Sequence, residues 1–264
     1  MFKKMSLPNA LLINSYSASQ TSESLAAYTA MVQQALGASS VSWLIGYRGE
    51  FGRKLWHVEL LDGWKVMDLI YPQSSEQTGM AELFKQRYLE MARQEKDLSP
   101  LTRLALKTVG SHRSLALQQA LANDGVDSHW VKEHLLQDYN VADRMLGVFH
   151  LGAETESYLL VDRAPHQAGF TQAEQDELLA LMTSFPRLHY WLALERGLVA
   201  PATRPLSPRQ QELVKMVLQG LSEQEMADKL VLSKSTVHGY LIDIYRIFRV
   251  TSRTALLRLW LESI

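Results

Sequence analysis

The sequence predicts an α+β amino-terminal domain, an antiparallel sheet with flanking helices, followed by an all-α carboxy-terminal domain. Three observations predict this. Runs of β-branched and aromatic residues fall into two groups separated by helical stretches, an order that suits an antiparallel sheet with helices on its flank. The last part of the chain, Leu206 to Ile264, reads as three short capped helices and a fourth. Between them, Gly197 to Pro205 (GLVAPATRP) has the glycine and two prolines of a linker. The expected boundaries are therefore residues 1–196, a linker at 197–205, and residues 206–264.

The totals agree with two domains. A chain of 264 residues is long for one module, domains being typically about 100 to 150 residues. The 47% hydrophobic and 21% charged content is that of an ordinary globular protein, and the absence of cysteine excludes disulfides, thiolate catalysis and cysteine-ligated metal. No apolar run reaches the 18 or so residues of a membrane span, and the start, MFKKMSLPNALLINSY, lacks the apolar core of a signal peptide. A cytoplasmic location with no membrane partner is expected. The net charge of -1 hides an uneven distribution: from Pro201 onward nine Lys and Arg face six Asp and Glu, and the acidic excess lies upstream.

Taken in order, residues from Thr21 bring Leu25, Tyr28, Met31, Val32, Ala35 and Leu36 to one side of a helix that Gly37 stops. Ser40 to Tyr47 and Leu55 to Leu61 read as a hairpin across Arg48 to Gly52, with Trp64 to Ile70 as a third strand. Met80 to Leu121 is helical in composition, as AELFKQRYLEMARQEKD, SPLTRLALKTV and SLALQQALAND, the second opening at Ser99-Pro100. A further helical stretch covers about Asp127 to Gln137. Strands return at Met145 to Leu151 and Ser157 to Asp162. Thr171 and Glu174 form a capping box for a helix that extends as far as Glu195, with Pro186 bending or breaking it. Its apolar face is broad, which fits either coverage of the sheet or contact with a second subunit.

The carboxy-terminal helices carry the sharpest signals. Ser207-Pro208 with Gln210 is a complete helix start, and Gly220 ends that helix. Ser222 and Glu225 are a second capping box, and Ser233 caps a third helix. At 100° per residue Val237, Leu241, Ile244 and Phe248 share a narrow core-facing arc, while Ser235, Gly239, Ile242 and Arg246 lie opposite, flanked by His238 and Asp243. Two short helices joined at Val231-Leu232, the second with a polar outer arc, are what a helix-turn-helix requires. Ser233, Lys234, Ser235 and Thr236 at the helix start suit phosphate, and His238 suits a base edge. Ile242 suits a thymine methyl, and Gly239 allows close approach.

Over these residues the chain resembles the LuxR/GerE-type domain of bacterial transcription regulators, with Leu206, Glu212, Gly220, Ala227, Leu230, Ser233, Thr236, Val237, Ile244, Val250 and Arg253 carrying the resemblance. It implies a tetrahelical DNA-binding domain, recognition of double-stranded DNA by the third helix with Arg246 and Arg253 among the contacts, and dimerisation through the fourth. RNA polymerase is a further expected partner. The chain departs from the family at His238, Tyr240 and Ile247-Phe248, where lysine, histidine and Lys-Leu are common. Fewer cations on the reading face imply weaker non-specific affinity.

Upstream, LLINSYSAS lacks the paired acidic residues of a phosphorylated receiver domain, and the Trp, Tyr and Asp-Pro pattern of acyl-homoserine-lactone sensors is not placed on Trp56 to Pro72. MLGVFHL, SYLLVDRA and FTQAEQDELLALM are similar to a GAF-like sensor over about residues 8 to 196, which implies a small-molecule pocket between sheet and helices. The aromatic candidates for it are Trp43, Tyr47, Trp56, Trp64, Tyr71 and Trp130, each of which fits a core position as well. His57, His129, His134 and His150 lack metal-ligand spacing, and no cofactor is expected. No nucleophile, acid/base pair or phosphate loop stands out, so the expectation is a homodimeric regulator and not an enzyme. A protein-interaction adaptor whose helix-turn-helix has lost DNA binding is the alternative.

Overall fold

The computed structural model describes residues 13, 15–49, 58–59, 63–70, 99–124, 135–137 and 139–262. They fall into two compact units, one drawn from Leu25–Glu50 and His57–Pro186, the other from Ser15–Ser24 and Arg187–Ile264. No helix among the described residues is long and apolar enough to cross a membrane.

The first unit is built on a six-stranded antiparallel sheet in the order β2-β3-β1-β6-β5-β4. Its strands are β1 (Ser40–Arg48), β2 (Val58–Glu59), β3 (Trp64–Ile70), β4 (Arg113–Ala116), β5 (Asp143–Gly152) and β6 (Thr155–Arg163). β1 is buried at every position from Val41 to Tyr47, on both parities, so both of its faces must be covered. It accordingly takes a central place, pairing with β3 on one side and β6 on the other. Among the described residues the expected pairing of β1 with the next strand is not formed, and β2 pairs with β3 instead. β4 is a second correction: the stretch expected to be helical from Ser114 begins with a four-residue edge strand, which then turns into a helix at Leu117. Pairing with β5 outweighs local helix preference there. The helical stretches expected at 80–97 and 127–134 lie outside the described residues.

Residues paired across antiparallel strands project to the same face, so the register sorts the two sides. Leu44, Val66, Leu115, Leu146, Val148 and Tyr158 share one face, packed against Leu101 and Ala105 of α2 (Pro100–Lys107) and Leu117 and Ala120 of α3 (Leu117–Asp124). Trp43, Ile45, Met145, Gly147 and Leu159 share the other. There Met182 and Leu178 of α4 (Gln172–Thr183) press on Gly147 so closely that a Cβ would come within 2.8 Å of Met182. α1 (Thr21–Leu36) packs on α4 through Tyr28, whose ring meets Phe185 edge-on at 5.3 Å and whose hydroxyl donates to Leu181 O at 3.2 Å. The unit is thus helices, sheet, helices.

One buried charge group sits on the first face. Arg113 of β4 donates to both carboxylate oxygens of Glu156 on β6, at 2.7 and 2.8 Å, and also to Ala105 O at 2.8 Å. The Tyr158 hydroxyl and the Gly110 amide complete the shell of Glu156, which has no exposed surface. Every lone pair of the carboxylate is used, the condition under which a buried ion pair is tolerated.

In the second unit, α5 (Pro186–Leu194) is separate from α4: proline at its first position breaks the long helix. Leu188, Trp191, Leu192 and Leu194 are buried, so the chain itself covers most of the apolar face there. The segment expected as a linker is also inside this unit. Leu206 N donates to Arg196 O and Thr203 N to Ile247 O, both at 2.9 Å, and Leu198 N donates to Ala193 O. Gly197 adopts φ +69°, a turn that a side chain would strain. The two compact units part at 186/187.

Glu195, almost fully buried, accepts a 2.5 Å hydrogen bond from the Thr21 hydroxyl. Burial pushes its pKa up, outweighing Arg196, whose guanidinium stands 4.0 Å away and donates to Leu192 O. A carboxyl with a raised folded-state pKa stabilises the fold below its ordinary value of 4.5, and that contribution is lost as pH rises through the folded value. Glu195→Gln, neutral throughout, is therefore expected to gain in melting temperature relative to wild type as pH rises above the ordinary carboxyl value of 4.5. A margin independent of pH would show that Glu195 does not titrate this way.

Candidate nucleic-acid interface

Four helices follow residues 197–205: α6 (Pro208–Leu218), α7 (Glu223–Leu230), α8 (Lys234–Ile247) and α9 (Arg253–Leu261). Their starts are the ones the spacing predicts. Gln210 N donates to the Ser207 hydroxyl and Glu225 N to the Ser222 hydroxyl, each at 3.3 Å, and the side chains of Gln210 and Glu225 accept in return from the cap amides. Such caps contribute about 1 kcal/mol each. Val237, Leu241, Ile244 and Phe248 are all essentially inaccessible, and Trp260 of α9 meets Phe248 at 5.9 Å. Each large apolar side chain so buried stabilises the fold by about 1.5–3 kcal/mol.

The turn between α7 and α8 is made at Val231, which takes the left-handed conformation (φ +55°, ψ +48°), and Leu232 N donates to Ala227 O at 2.9 Å. A β-branched residue in that region costs roughly 1–2 kcal/mol, tolerated here because the turn is what brings α8 across α7. The side chain is 90% exposed.

On α8, Ser233 accepts from Thr236 N at 3.0 Å, and its hydroxyl also meets those of Ser235 and Thr236. Ser233, Lys234, Ser235, Thr236, His238, Gly239 and Arg246 are exposed, and Ile242 is half-buried. The helix thus presents its amino-terminal amides and Lys234 together, a positive end that favours phosphate. A Cβ on Gly239 would meet nothing within 4 Å, so the chain itself does not require glycine there. Arg246 donates to Asp243 at 3.0 Å on the open surface, a pair of small energetic value that a phosphate could displace.

Arg253 stands apart from the other expected contacts. Its guanidinium, half-buried, donates to Val217 O in the last turn of α6 at 3.1 Å and to Leu221 O just beyond that helix at 2.5 Å. It fastens α9 to α6 and is not turned to the outer arc of α8. A residue the spacing did not single out is Glu223, at the first position of α7, whose carboxylate lies 3.1 Å from His238 Nδ1. Fifteen residues separate them, beyond the reach of helical periodicity.

In the first unit, the candidate aromatics divide. Trp43 and Tyr47 project to the α4-covered face, and Trp43 Nε1 donates to Ser157 Oγ at 2.8 Å, so both are core residues of that layer. Trp64 projects to the opposite face, beside Gly46 and under the Arg48 guanidinium at 5.8 Å. Trp56, Tyr71 and Trp130 lie outside the described residues. Among the described residues no group of His, Asp and Glu is arranged to hold a metal ion.

Four short helices, the second and third joined through a left-handed turn with the third open to solvent along its polar arc, define a helix-turn-helix domain. Residues 204–260 match the family described as GerE, bacterial regulatory proteins, luxR family, and this part of the chain is a LuxR/GerE-type domain. No curated protein matches the chain. Three solved structures are similar at low identity. The crystal structure of Escherichia coli SdiA has 14% identity over 94% of this chain and 92% of that one, with a TM-score of 0.45. SdiA in complex with octanoyl-rac-glycerol has 13% identity over 94% and 89%, at 0.43. The VqsR LBD domain from Pseudomonas aeruginosa has 12% identity over 67% and 92%, at 0.37.

Proposed function

We propose that this chain is a sequence-specific DNA-binding transcription regulator that acts as a homodimer, its first unit sensing a small molecule. The observation that carries the DNA reading is the outer arc of α8: a capped, exposed helix start with Lys234, then His238, Gly239 and Arg246, held across α7 by the Val231 turn. α8 enters the major groove, its first turn meeting phosphate and base edges. The expected result is salt-sensitive retention of promoter DNA upstream of neighbouring genes, and a chain that binds no such fragment at any salt concentration overturns the reading.

Two arginines sharpen the test. Arg246→Ala is expected to weaken binding to all sequences and lower the salt slope by about one unit, as loss of a phosphate contact does. Arg253→Ala is expected to lower the melting temperature of the second unit and leave the salt slope of the folded fraction unchanged, since its guanidinium serves the carbonyls of Val217 and Leu221. The opposite assignment of slope and stability would exchange their roles.

The sensor part rests on a regulatory domain preceded by a sheet with helices on both faces, an architecture able to enclose a small apolar ligand. A small molecule that raises the melting temperature of the first unit and changes affinity for the operator is the expected finding. Fractionated cell extracts that do neither would remove the sensor role and leave the DNA reading intact.

A further inference from the structure

We infer that Glu223 and His238 form a two-residue reading unit, in which Glu223 fixes the tautomer of His238 and so sets the base that α8 accepts at one position. The inference rests on the DNA-binding reading above and goes on to specify part of its sequence code.

The geometry is simple. His238 lies five residues into α8, on the flank of its outer arc, with 60% of its side chain exposed. Its Nδ1 is 3.1 Å from Glu223 Oε1. A carboxylate oxygen offers only lone pairs, so the ring nitrogen facing it must carry the hydrogen. In the neutral ring that leaves Nε2 with a lone pair, and Nε2 has no hydrogen-bond partner among the described residues. Glu223 is in turn anchored: it stands at the first position of α7, directly after the Ser222 cap, on a helix held by its own capping box.

An outward-facing acceptor selects differently from an outward-facing cation. In the major groove, adenine N6 and cytosine N4 present amino hydrogens, whereas guanine presents two acceptors at N7 and O6. His238 held by Glu223 accepts from an adenine or cytosine amino group. A donor-only side chain at the same place, such as lysine, would take guanine. The carboxylate would otherwise be a poor choice beside a helix that approaches phosphate, because its charge repels the backbone. Holding the imidazole gives it a role. Glu223 is a positioning residue on this account, and His238 is the one that touches the base.

The test uses the full chain and a library of randomised duplexes at pH 8.5, selected in parallel with wild type, Glu223→Ala and His238→Lys. Wild type is expected to enrich adenine or cytosine at one position of its motif. His238→Lys should change that position to guanine, and Glu223→Ala should reduce its preference by about threefold or more, the worth of one hydrogen bond. All other positions should stay the same. Uniformly tighter binding by Glu223→Ala, with the motif unchanged, would mean that only a repulsive charge had been removed, and would overturn the inference while leaving DNA binding in place. No motif with any of the three proteins would overturn the DNA reading itself, and this inference with it.

A second readout is independent of DNA. Nitrogen-15 resonances of His238, assigned against His238→Asn, should show hydrogen on Nδ1 and a bare Nε2 in wild type, with hydrogen appearing on Nε2 in Glu223→Ala. Hydrogen on Nε2 in wild type at pH 8.5 would overturn the inference whatever the selection shows. A merely structural role for Glu223 would move neither the tautomer nor a single base preference.

Discussion

Glu156→Ala is expected to destabilise the first unit by about 3–5 kcal/mol, the usual cost of removing one partner from a buried ion pair. The loss does not measure the pair's own strength. It arises because Arg113, only 8% exposed, would be left as a charge without a counter-ion in an apolar layer beside Leu115 and Val148. The Tyr158 hydroxyl and the Gly110 amide would lose an acceptor at the same time. The control is the double replacement Arg113→Met with Glu156→Leu, which removes both charges and should recover most of the loss. Urea unfolding followed by tryptophan fluorescence reads both. A single-variant cost below about 1 kcal/mol would place the pair in the range of solvated surface bridges and contradict its burial.

Gly197→Ala is expected to destabilise the second unit by about 2–4 kcal/mol, the left-handed backbone and the overpacking adding together. The residue sits at φ +69°, and a Cβ there would come within 2.8 Å of Arg204 O and 3.1 Å of Leu206 N. Both are backbone atoms, which cannot swing aside as a side chain can. Leu206 N is itself committed to Arg196 O. The substitution thus tests whether residues 197–205 unfold with the second unit or act as a linker. A free linker would tolerate alanine, or gain from it by losing unfolded-state entropy. A segment built into the helix-turn-helix unit must unfold with it. Thermal melting of the second unit, unchanged or raised in Gly197→Ala, would return 197–205 to the role of a linker.

How far the sequence alone reaches is shown by particular residues. Ser207, Ser222 and Ser233 were legible as caps because each bonds an amide three residues away, so spacing contains the whole interaction. The arc of Val237, Leu241, Ile244 and Phe248 was legible because helical periodicity assigns its face without reference to any partner. The antiparallel α+β character was legible from strand-like runs, but their neighbours were not. β1 was expected to fold back on the next strand, whereas burial on both of its faces places it between β3 and β6. β4, four residues long, carries too little periodicity to announce itself beside the helix it leads into.

The sequence by itself therefore determined the local units of the last part of the chain: where its capped helices begin, which side of the third is apolar, and that they form a helix-turn-helix of the LuxR/GerE type. The tertiary structure decided what charged and polar side chains are for. Arg113 finds Glu156 forty-three residues away, Arg253 reaches carbonyls thirty-two and thirty-six residues back, and His238 meets Glu223 across the turn. Apolar burial is nondirectional and is satisfied by any neighbour of suitable volume, so a one-dimensional pattern suffices to announce it. A hydrogen bond or ion pair needs one particular partner within about 3 Å, and only the folded chain brings that partner into place.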